Sequence, residues 1–425
     1  MKPIVNGSRK LIVVGQGYVG LPLAMRGVEV GYDVVGFDLA EGRIKRLSIG
    51  ESYVEDVPHA QVEAALATGR YEPTNDPRLC EGFDVAVIDV PTPLKDKVPD
   101  LSHVEAAAGM LAQYLRPGAM VVLESTTYPG TTEELVAPIL EAGSGLIAGT
   151  DFHLGYSPER VDPGNKTWAL TNIPKIVSGV TDASLEAVQG FYAELVSETI
   201  AVSGTREAEL TKLLENTFRH VNIALVNELA MFAADLGIDV WEALEAASTK
   251  PFGYMGFLPG PGVGGHCLPI DPSYLSWKVR RTLGQSFRFV ELANDVNEHM
   301  PDYVVQRLLV AFNNRNRRAI QGSKVLILGL AYKANTGDAR EAPGTEIIER
   351  LVSLGAEVRV VDPHLSDEPE GFYTMVDLTP AELARADAVL LVTDHDAFDY
   401  DLVRRHARFI LDTRGRLEGP NVERL

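Results

Sequence analysis

The sequence predicts an α/β fold with two Rossmann-like, doubly wound parallel-sheet domains joined by a central helical domain. Three observations carry that expectation. From Lys10 to Asp38 an apolar run enters a glycine turn, continues as a helix-like stretch and closes with a second apolar run ending in an acid. After Gly322 the plan returns: Lys324-Val-Leu-Ile-Leu-Gly329 runs into a glycine, and Glu357-Val-Arg-Val-Val-Asp362 again ends in an acid. Between them, from about Thr205 to Val310, apolar residues recur with the spacing of long helices. The expected domains are 1–204, 205–310 and 311–425.

Taking the elements in order, the first β-α-β unit is followed by buried-strand runs at Asp84–Val90, closed by Pro91-Thr-Pro93, and at Met120–Thr126. Strands alternating with helices imply parallel pairing with both faces covered. In the middle, Glu207–Phe218 and Val221–Ala230 read as helix. The Gly- and Pro-rich stretch Pro251–Pro272 cannot remain regular helix, and so irregular a loop inside a helical region invites a functional explanation. Ala388–Thr393 echoes the strand before Thr92, and Phe409–Thr413 echoes the strand before Thr126.

Composition narrows the function. A chain of 425 residues exceeds one ordinary hydrophobic core. No apolar run approaches the ~20 residues a bilayer requires, so no membrane span is expected. The apolar run after the basic start MKPIVNGSRK ends at a glycine loop, and a cytoplasmic protein is expected. Two cysteines, Cys80 and Cys267, are too few for a disulfide framework. A formal charge of −20 opposes nonspecific attraction to nucleic acid or anionic membrane, so any phosphate must be held locally.

Gly15-Gln-Gly-Tyr18-Val19-Gly20, including Gly17, follows a strand, opens a helix and precedes Asp38 at the next strand end. That is the dinucleotide fingerprint. An acid at Asp38 suits the ribose diol of NAD, because a 2′-phosphate would be repelled. Arg43 is a candidate flank to adenine or ribose. The second turn, Gly329-Leu-Ala-Tyr-Lys333, lacks the full fingerprint, so a different nucleotide is expected there, with Lys333 and Arg414 near strand ends as its cations and Arg340 read as a surface charge. Cys267 lies in Gly264-Gly-His-Cys-Leu-Pro-Ile-Asp271. A thiolate suits aldehyde oxidation, since its thiohemiacetal gives up a hydride to form a thioester that water hydrolyses. His266 is left out of that chemistry, and Cys80 reads as a packing residue.

These motifs, with Pro91-Thr92-Pro93, Ser125-Thr126, Ser157-Pro-Glu-Arg160, Lys212-Leu-Leu-Glu-Asn216 and Thr336-Gly-Asp-Ala-Arg340, resemble the nucleotide-sugar 6-dehydrogenase family across essentially the whole chain. The resemblance implies a four-electron oxidation with two NAD molecules in succession. It implies Cys267 as nucleophile, and Lys212 with Asn216 as the pair stabilising oxyanion charge. Asp271 and Thr126 would order water and relay protons, and Glu159 would serve thioester hydrolysis. Pro91, Thr92 and Thr126 join the cofactor site. Glu159, Arg160, Lys212, Asn216, Lys250, Phe257, Gly262, Gly264, Lys333 and Arg414 form the expected substrate set, with Lys250 reaching across a homodimer made by the helical domain. No metal is expected. Ile270 stands where the UDP-glucose and GDP-mannose branches usually carry Lys, and Ser157–Asn165 resembles the N-acetylglucosamine or N-acetylgalactosamine enzymes. UDP-N-acetylglucosamine is therefore the expected substrate, with UDP-glucose and UDP-N-acetylmannosamine as alternatives. More remote are a two-electron dehydrogenase in which Cys267 is structural and a non-catalytic sensor.

Overall fold

Leu11, Ile12 and Val13 are fully buried and Val14 is nearly so, as a strand covered on both faces requires at every position. Each such side chain contributes about 1.5–3 kcal/mol of burial. The computed structural model describes residues 9–95, 98–162, 165, 167–265, 268–316, 318–365 and 373–425. It divides into two compact units: one takes the chain through Glu215 with Trp277–Leu283, and the other holds Asn216–Ser276 and Gly284–Leu425.

The first unit is built on eight strands: β1 (Lys10–Val14), β2 (Asp33–Phe37), β3 (Tyr71–Thr74), β4 (Val85–Ile88), β5 (Met120–Leu123), β6 (His153–Tyr156), β7 (Lys175–Gly179) and β8 (Thr199–Ala201). Their order in the sheet is β8-β7-β6-β5-β4-β1-β2-β3. Strand β1 therefore lies between β2 and β4, and the connections after β1 and β4 leave the same edge in opposite directions. That reversal is where an open α/β sheet leaves a crevice at its carboxyl ends. Helix α1 (Gly20–Glu29) turns Leu21, Leu23, Ala24, Met25 and Val28 into a core with Leu11, Val13, Val34 and Val122. Within this eight-stranded sheet one pairing departs from the all-parallel expectation. Strand β7 runs antiparallel to β6, with Gly155 opposite Gly179 and Tyr156 opposite Ser178. The intervening 157–174 holds no helix among its described residues, and parallel pairing needs a crossover, usually helical.

Among its described residues the helical region has no sheet of its own. The two stretches read separately from sequence are one helix, α2 (Thr205–Leu236), of 32 residues. It is followed by α3 (Val240–Ser248), α4 (Asp271–Leu283) and α5 (Arg288–Ala311). In the second unit Met300, Val304, Leu308 and Ala311 of α5 share one core with Val325, Ile327 and Val360 of the second sheet. That sheet is wholly parallel: β9 (Lys324–Leu328), β10 (Glu357–Val361), β11 (Thr374–Met375), β12 (Ala388–Leu391), β13 (Ile410–Asp412) and β14 (Val422–Arg424), in the order β11-β10-β9-β12-β13-β14. Helix α6 (Pro343–Ser353) adds Ile347, Ile348 and Leu351 to the same core. Among the described residues no helix is long and apolar enough to cross a membrane.

Asp362, just past β10, locks the second glycine turn. Its Oδ2 accepts the amides of Leu330 (2.7 Å) and Ala331 (2.9 Å) and Nε2–H of His395 (3.0 Å), while Oδ1 accepts the His364 amide at 2.9 Å. Burial alone would raise this carboxyl; the hydrogen bonds, His395 foremost, outweigh it and hold the pKa at about 2. Asp362→Asn is expected to destabilise the fold by roughly 1.5–3 kcal/mol, the worth of a charge-assisted hydrogen bond. Because the folded pKa lies below the ordinary 3.8, the difference from wild type is full above that value and shrinks as pH falls towards about 2. Urea denaturation at pH 7 and pH 3 measures both.

Candidate active site

The glycine turn after β1 divides three tasks among three glycines. Gly15 has φ +100°, and a methyl group on it would lie 1.8 Å from the carbonyl oxygen of Asp89. One on Gly20 would lie 2.0 Å from the Gly15 carbonyl oxygen. These two positions let strand, turn and helix close on one another. Gly17 differs: a methyl there meets no protein atom within 4 Å. The turn is thus tight on its protein side and open at its middle, the shape that admits a pyrophosphate at a helix N-terminus. Tyr18 is exposed and Val19 half-buried beside it.

Asp38 is buried beyond β2. Its Oδ2 accepts the Gln16 amide at 3.0 Å and faces Arg43 Nη1 at 3.2 Å; Oδ1 accepts the Ala40 amide at 2.8 Å. The structure so brings Arg43 to Asp38, with its guanidinium 5.7 Å from the Tyr53 ring centre. Gln16, which sequence reading passed over, is fully buried. Its side chain donates to the carbonyls of Val13 and Gly15 and accepts from Tyr71, and its carbonyl accepts from Tyr53. The available signal was a polar residue inside an otherwise small and apolar turn.

At the neighbouring strand ends, Ser125 Oγ accepts the Val90 amide at 2.9 Å and donates to the Val90 carbonyl at 2.8 Å. This clamp sets the start of Pro91-Thr92; Pro91 is exposed and Thr92 buried. Thr126 follows, half-buried. Past β6, Glu159 is buried, and its carbonyl accepts Lys212 Nζ at 2.5 Å. Lys212 is only 8% exposed, which is far from a solvated helix lysine. The Glu159 carboxylate in turn accepts from Lys175, which shares its ammonium with Glu124. Neither Lys175 nor Glu124 was singled out from sequence, although a charge within a run that reads as buried strand was the signal. Arg160 is occupied structurally: it pairs with Glu215 at 2.7 Å and donates to the Pro174 carbonyl at 2.6 Å.

In the second unit, Asn216 Nδ2 donates to Asp271 Oδ2 at 2.6 Å, and both are buried. The loop carrying Phe257, Gly262 and Gly264 is brought against Arg414. A methyl on Gly260 would lie 2.7 Å from an Arg414 guanidinium nitrogen, and Arg414 Nε donates to the Val392 carbonyl at 2.6 Å. Phe257 meets Phe218 edge-on at 5.8 Å. Behind the loop, Asn227 accepts the Gly260 amide at 2.9 Å and donates to Asn297 at 2.9 Å, a support that sequence reading did not find. Gly264 approaches the second glycine turn so closely that a methyl would lie 2.6 Å from the Glu341 carbonyl oxygen and 3.0 Å from Tyr332. Lys333 is half-buried in that turn. Arg340 is exposed and paired with Asp338 at 2.6 Å, a surface charge as read. Lys250 is also exposed, 5.2 Å from the Phe252 ring centre. Cys80 is fully buried. Cys267 and His266 lie outside the described residues.

Comparison with known proteins fits these features. The NAD-binding domain of the UDP-glucose/GDP-mannose dehydrogenase family matches residues 9–196, its central domain 206–299 and its UDP-binding domain 326–419. The UDP-N-acetyl-D-glucosamine 6-dehydrogenase of Pseudomonas aeruginosa is 38% identical over 92% of this chain and 91% of its own. The NDP-N-acetyl-D-galactosaminuronic acid dehydrogenase of Ralstonia solanacearum is 37% identical over 96% of each. The solved UDP-D-ManNAc dehydrogenase of Pyrococcus horikoshii superposes with a TM-score of 0.88 at 33% identity, covering 98% of both chains. A turn open at Gly17 beside Asp38, repeated glycine-turn architecture and likeness over nearly the full length lead to one assignment: the chain belongs to the UDP-glucose/GDP-mannose dehydrogenase family and is an NAD-dependent UDP-sugar dehydrogenase.

Proposed function

We propose that the chain oxidises the C6 alcohol of a UDP-N-acetylhexosamine, UDP-N-acetylglucosamine above others, to the carboxylate through a Cys267 thioester. The observation that carries this reading is the buried Asn216–Asp271 hydrogen bond at 2.6 Å. It couples two groups that the family resemblance assigns to one reaction, where ordinary surface polar residues would lie in solvent. The Gly15–Gly20 turn and Asp38 would hold NAD, which would supply a hydride acceptor for each of the two oxidations at C6. Everything else falls to the chain. Lys212 and Asn216 supply donors to the oxygen that gains negative charge as C6 is oxidised and attacked. The Cys267 thiolate adds to the aldehyde carbon, which keeps the intermediate covalently attached. Asp271 and Thr126 order the water, and Glu159 serves its attack on the thioester.

The substrate choice rests on Ile270, on Ser157–Asn165 and on relatives named for N-acetylated sugars. Assembly is read from α2, where Phe218, Leu225, Leu229, Phe232 and Leu236 are 44–72% exposed. Their spacing places them on one helix face, which we assign to a homodimer contact.

Three outcomes are expected. Wild-type enzyme releases two NADH per sugar oxidised, followed at 340 nm, and Cys267→Ser forms no uronic acid; one NADH per sugar refutes the thioester route. In a panel of UDP- and GDP-sugars, kcat/KM for UDP-N-acetylglucosamine exceeds that for UDP-glucose by roughly 10- to 200-fold, the discrimination one pocket group provides. Equal rates, or a preference for UDP-N-acetylmannosamine, overturn the substrate choice. Light scattering after size exclusion gives a dimer mass for wild type and a monomer mass for Leu225→Glu/Leu229→Glu; a monomeric wild type rejects the assembly.

A further inference from the structure

Lys175 carries a buried charge that the scheme above leaves without a task. It opens β7, and its side chain is 4% exposed. Its ammonium donates to Glu124 Oε1 and, at 3.1 Å, to Glu159 Oε2. The Tyr192 ring centre lies 5.3 Å from the same nitrogen. Glu124, directly after β5, has a fully buried side chain. Two carboxylates therefore share one cation where water does not screen them.

The Glu159 carboxylate is held from both sides. Its Oε1 accepts the amides of Arg160, at 2.7 Å, and Val161; Oε2 accepts Lys175. Burial alone would raise its pKa, but Lys175, the Val161 amide and Lys212 together outweigh burial and lower it. Glu124 moves the opposite way, raised by burial and by the Glu159 charge even against Lys175. The charged and titratable groups facing this cluster are Lys175 and Glu124 from the sheet, Asp89 from the end of β4, Tyr192 from the helix Asp182–Leu195, and Lys212 from α2. Lys212 binds the Glu159 backbone carbonyl, so among the described residues Lys175 is the cation that reaches the carboxylate itself.

We propose that Lys175 is a positioning residue for the hydrolytic half-reaction: it holds the Glu159 carboxylate charged and aimed, while Glu124 balances the second share of its ammonium. This rests on the reading that Glu159 serves hydrolysis of a Cys267 thioester. In that step the water oxygen bonds to the thioester carbonyl carbon, the carbon–sulfur bond breaks and sulfur leaves as thiolate. One water proton passes to Glu159 and the other is released as the product ionises; no electrons are exchanged. Without Lys175 the carboxylate would favour protonation and could swing from its two amides.

The test compares wild type, Lys175→Met/Glu124→Gln, Lys175→Arg and Glu159→Gln as full-length enzymes with NAD and the best UDP-sugar. The double variant removes one positive and one negative charge together, which buried clusters commonly tolerate. Its expected signature is a melting temperature near wild type, with steady-state turnover lowered roughly 10- to 100-fold, less than the ~10²–10⁴-fold a base contributes because Glu159 itself is retained. Acid-quenched enzyme carries the uronyl adduct on the Cys267 peptide by mass spectrometry, a burst of two NADH per site precedes slow turnover, and the acidic limb of the kcat profile moves to higher pH. Lys175→Arg restores turnover in part. A folded double variant with unchanged turnover and pH profile overturns the proposal, as does slow turnover without the adduct. If the double variant does not fold, Glu124→Gln alone decides: with Lys175 given wholly to Glu159, the acidic limb moves to lower pH, and an unmoved limb overturns the proposal. If wild type releases one NADH per sugar, or Glu159→Gln hydrolyses normally, the functional reading fails first and takes this role with it.

Discussion

A glycine turn can be tight only if its amides find acceptors, and both sheets meet that demand with a carboxylate at the end of the adjacent strand. Asp38 accepts the Gln16 amide in the first unit, and Asp362 accepts the Leu330 and Ala331 amides in the second. The two sites then part company. Asp38 faces Arg43, which is nearly half exposed, beside a turn left open at Gly17. Asp362 is enclosed, with His395 on one oxygen and the His364 amide on the other. Asp38 keeps a partly solvated partner, while Asp362 and His395 are enclosed together. The same local plan thus gives a turn open at its middle in the first unit and a turn locked onto its acid in the second.

The polar groups assigned to the chemistry obey a related constraint. A buried ion or amide without a partner is expensive, and here each is fixed by a neighbour: Lys212 by a carbonyl, Asn216 by Asp271, Glu159 by two amides and Lys175. Such pairing restricts each side chain to one orientation before any ligand arrives, which is the preorganisation that makes electrostatic stabilisation effective. It also explains why the supporting residues are themselves charged or polar. Gln16 and Asn227 bond to the turn and the loop, Lys175 bonds to Glu159, and Glu124 bonds to Lys175 in turn.

Much of this architecture was legible in the chain itself. The two strand–glycine–strand–acid repeats, the helical middle and the fingerprint turn depend on local periodicity and on what glycine alone permits, and both are properties of neighbouring residues. The four-residue spacing of Lys212 and Asn216 along one helix is likewise a local property. The antiparallel strand β7 was not legible, because Lys175–Gly179 is as apolar as a parallel strand and its direction depends on how 157–174 returns. Nor was the sharing of the α5 core with the second sheet, since amphipathic periodicity states that a face is buried without naming its partner.

What the sequence determined by itself was the class of fold, the cofactor turn and the residue types that can carry the oxidation, because these follow from short-range sterics and from functional groups at fixed spacing. What only the tertiary structure decided was which groups share a charge or a proton. Lys175 lies 51 residues from Glu124 and 16 from Glu159 along the chain, and Asn216 lies 55 from Asp271. Electrostatic partnership depends on distance through space in a medium of low polarity, and no local pattern records it.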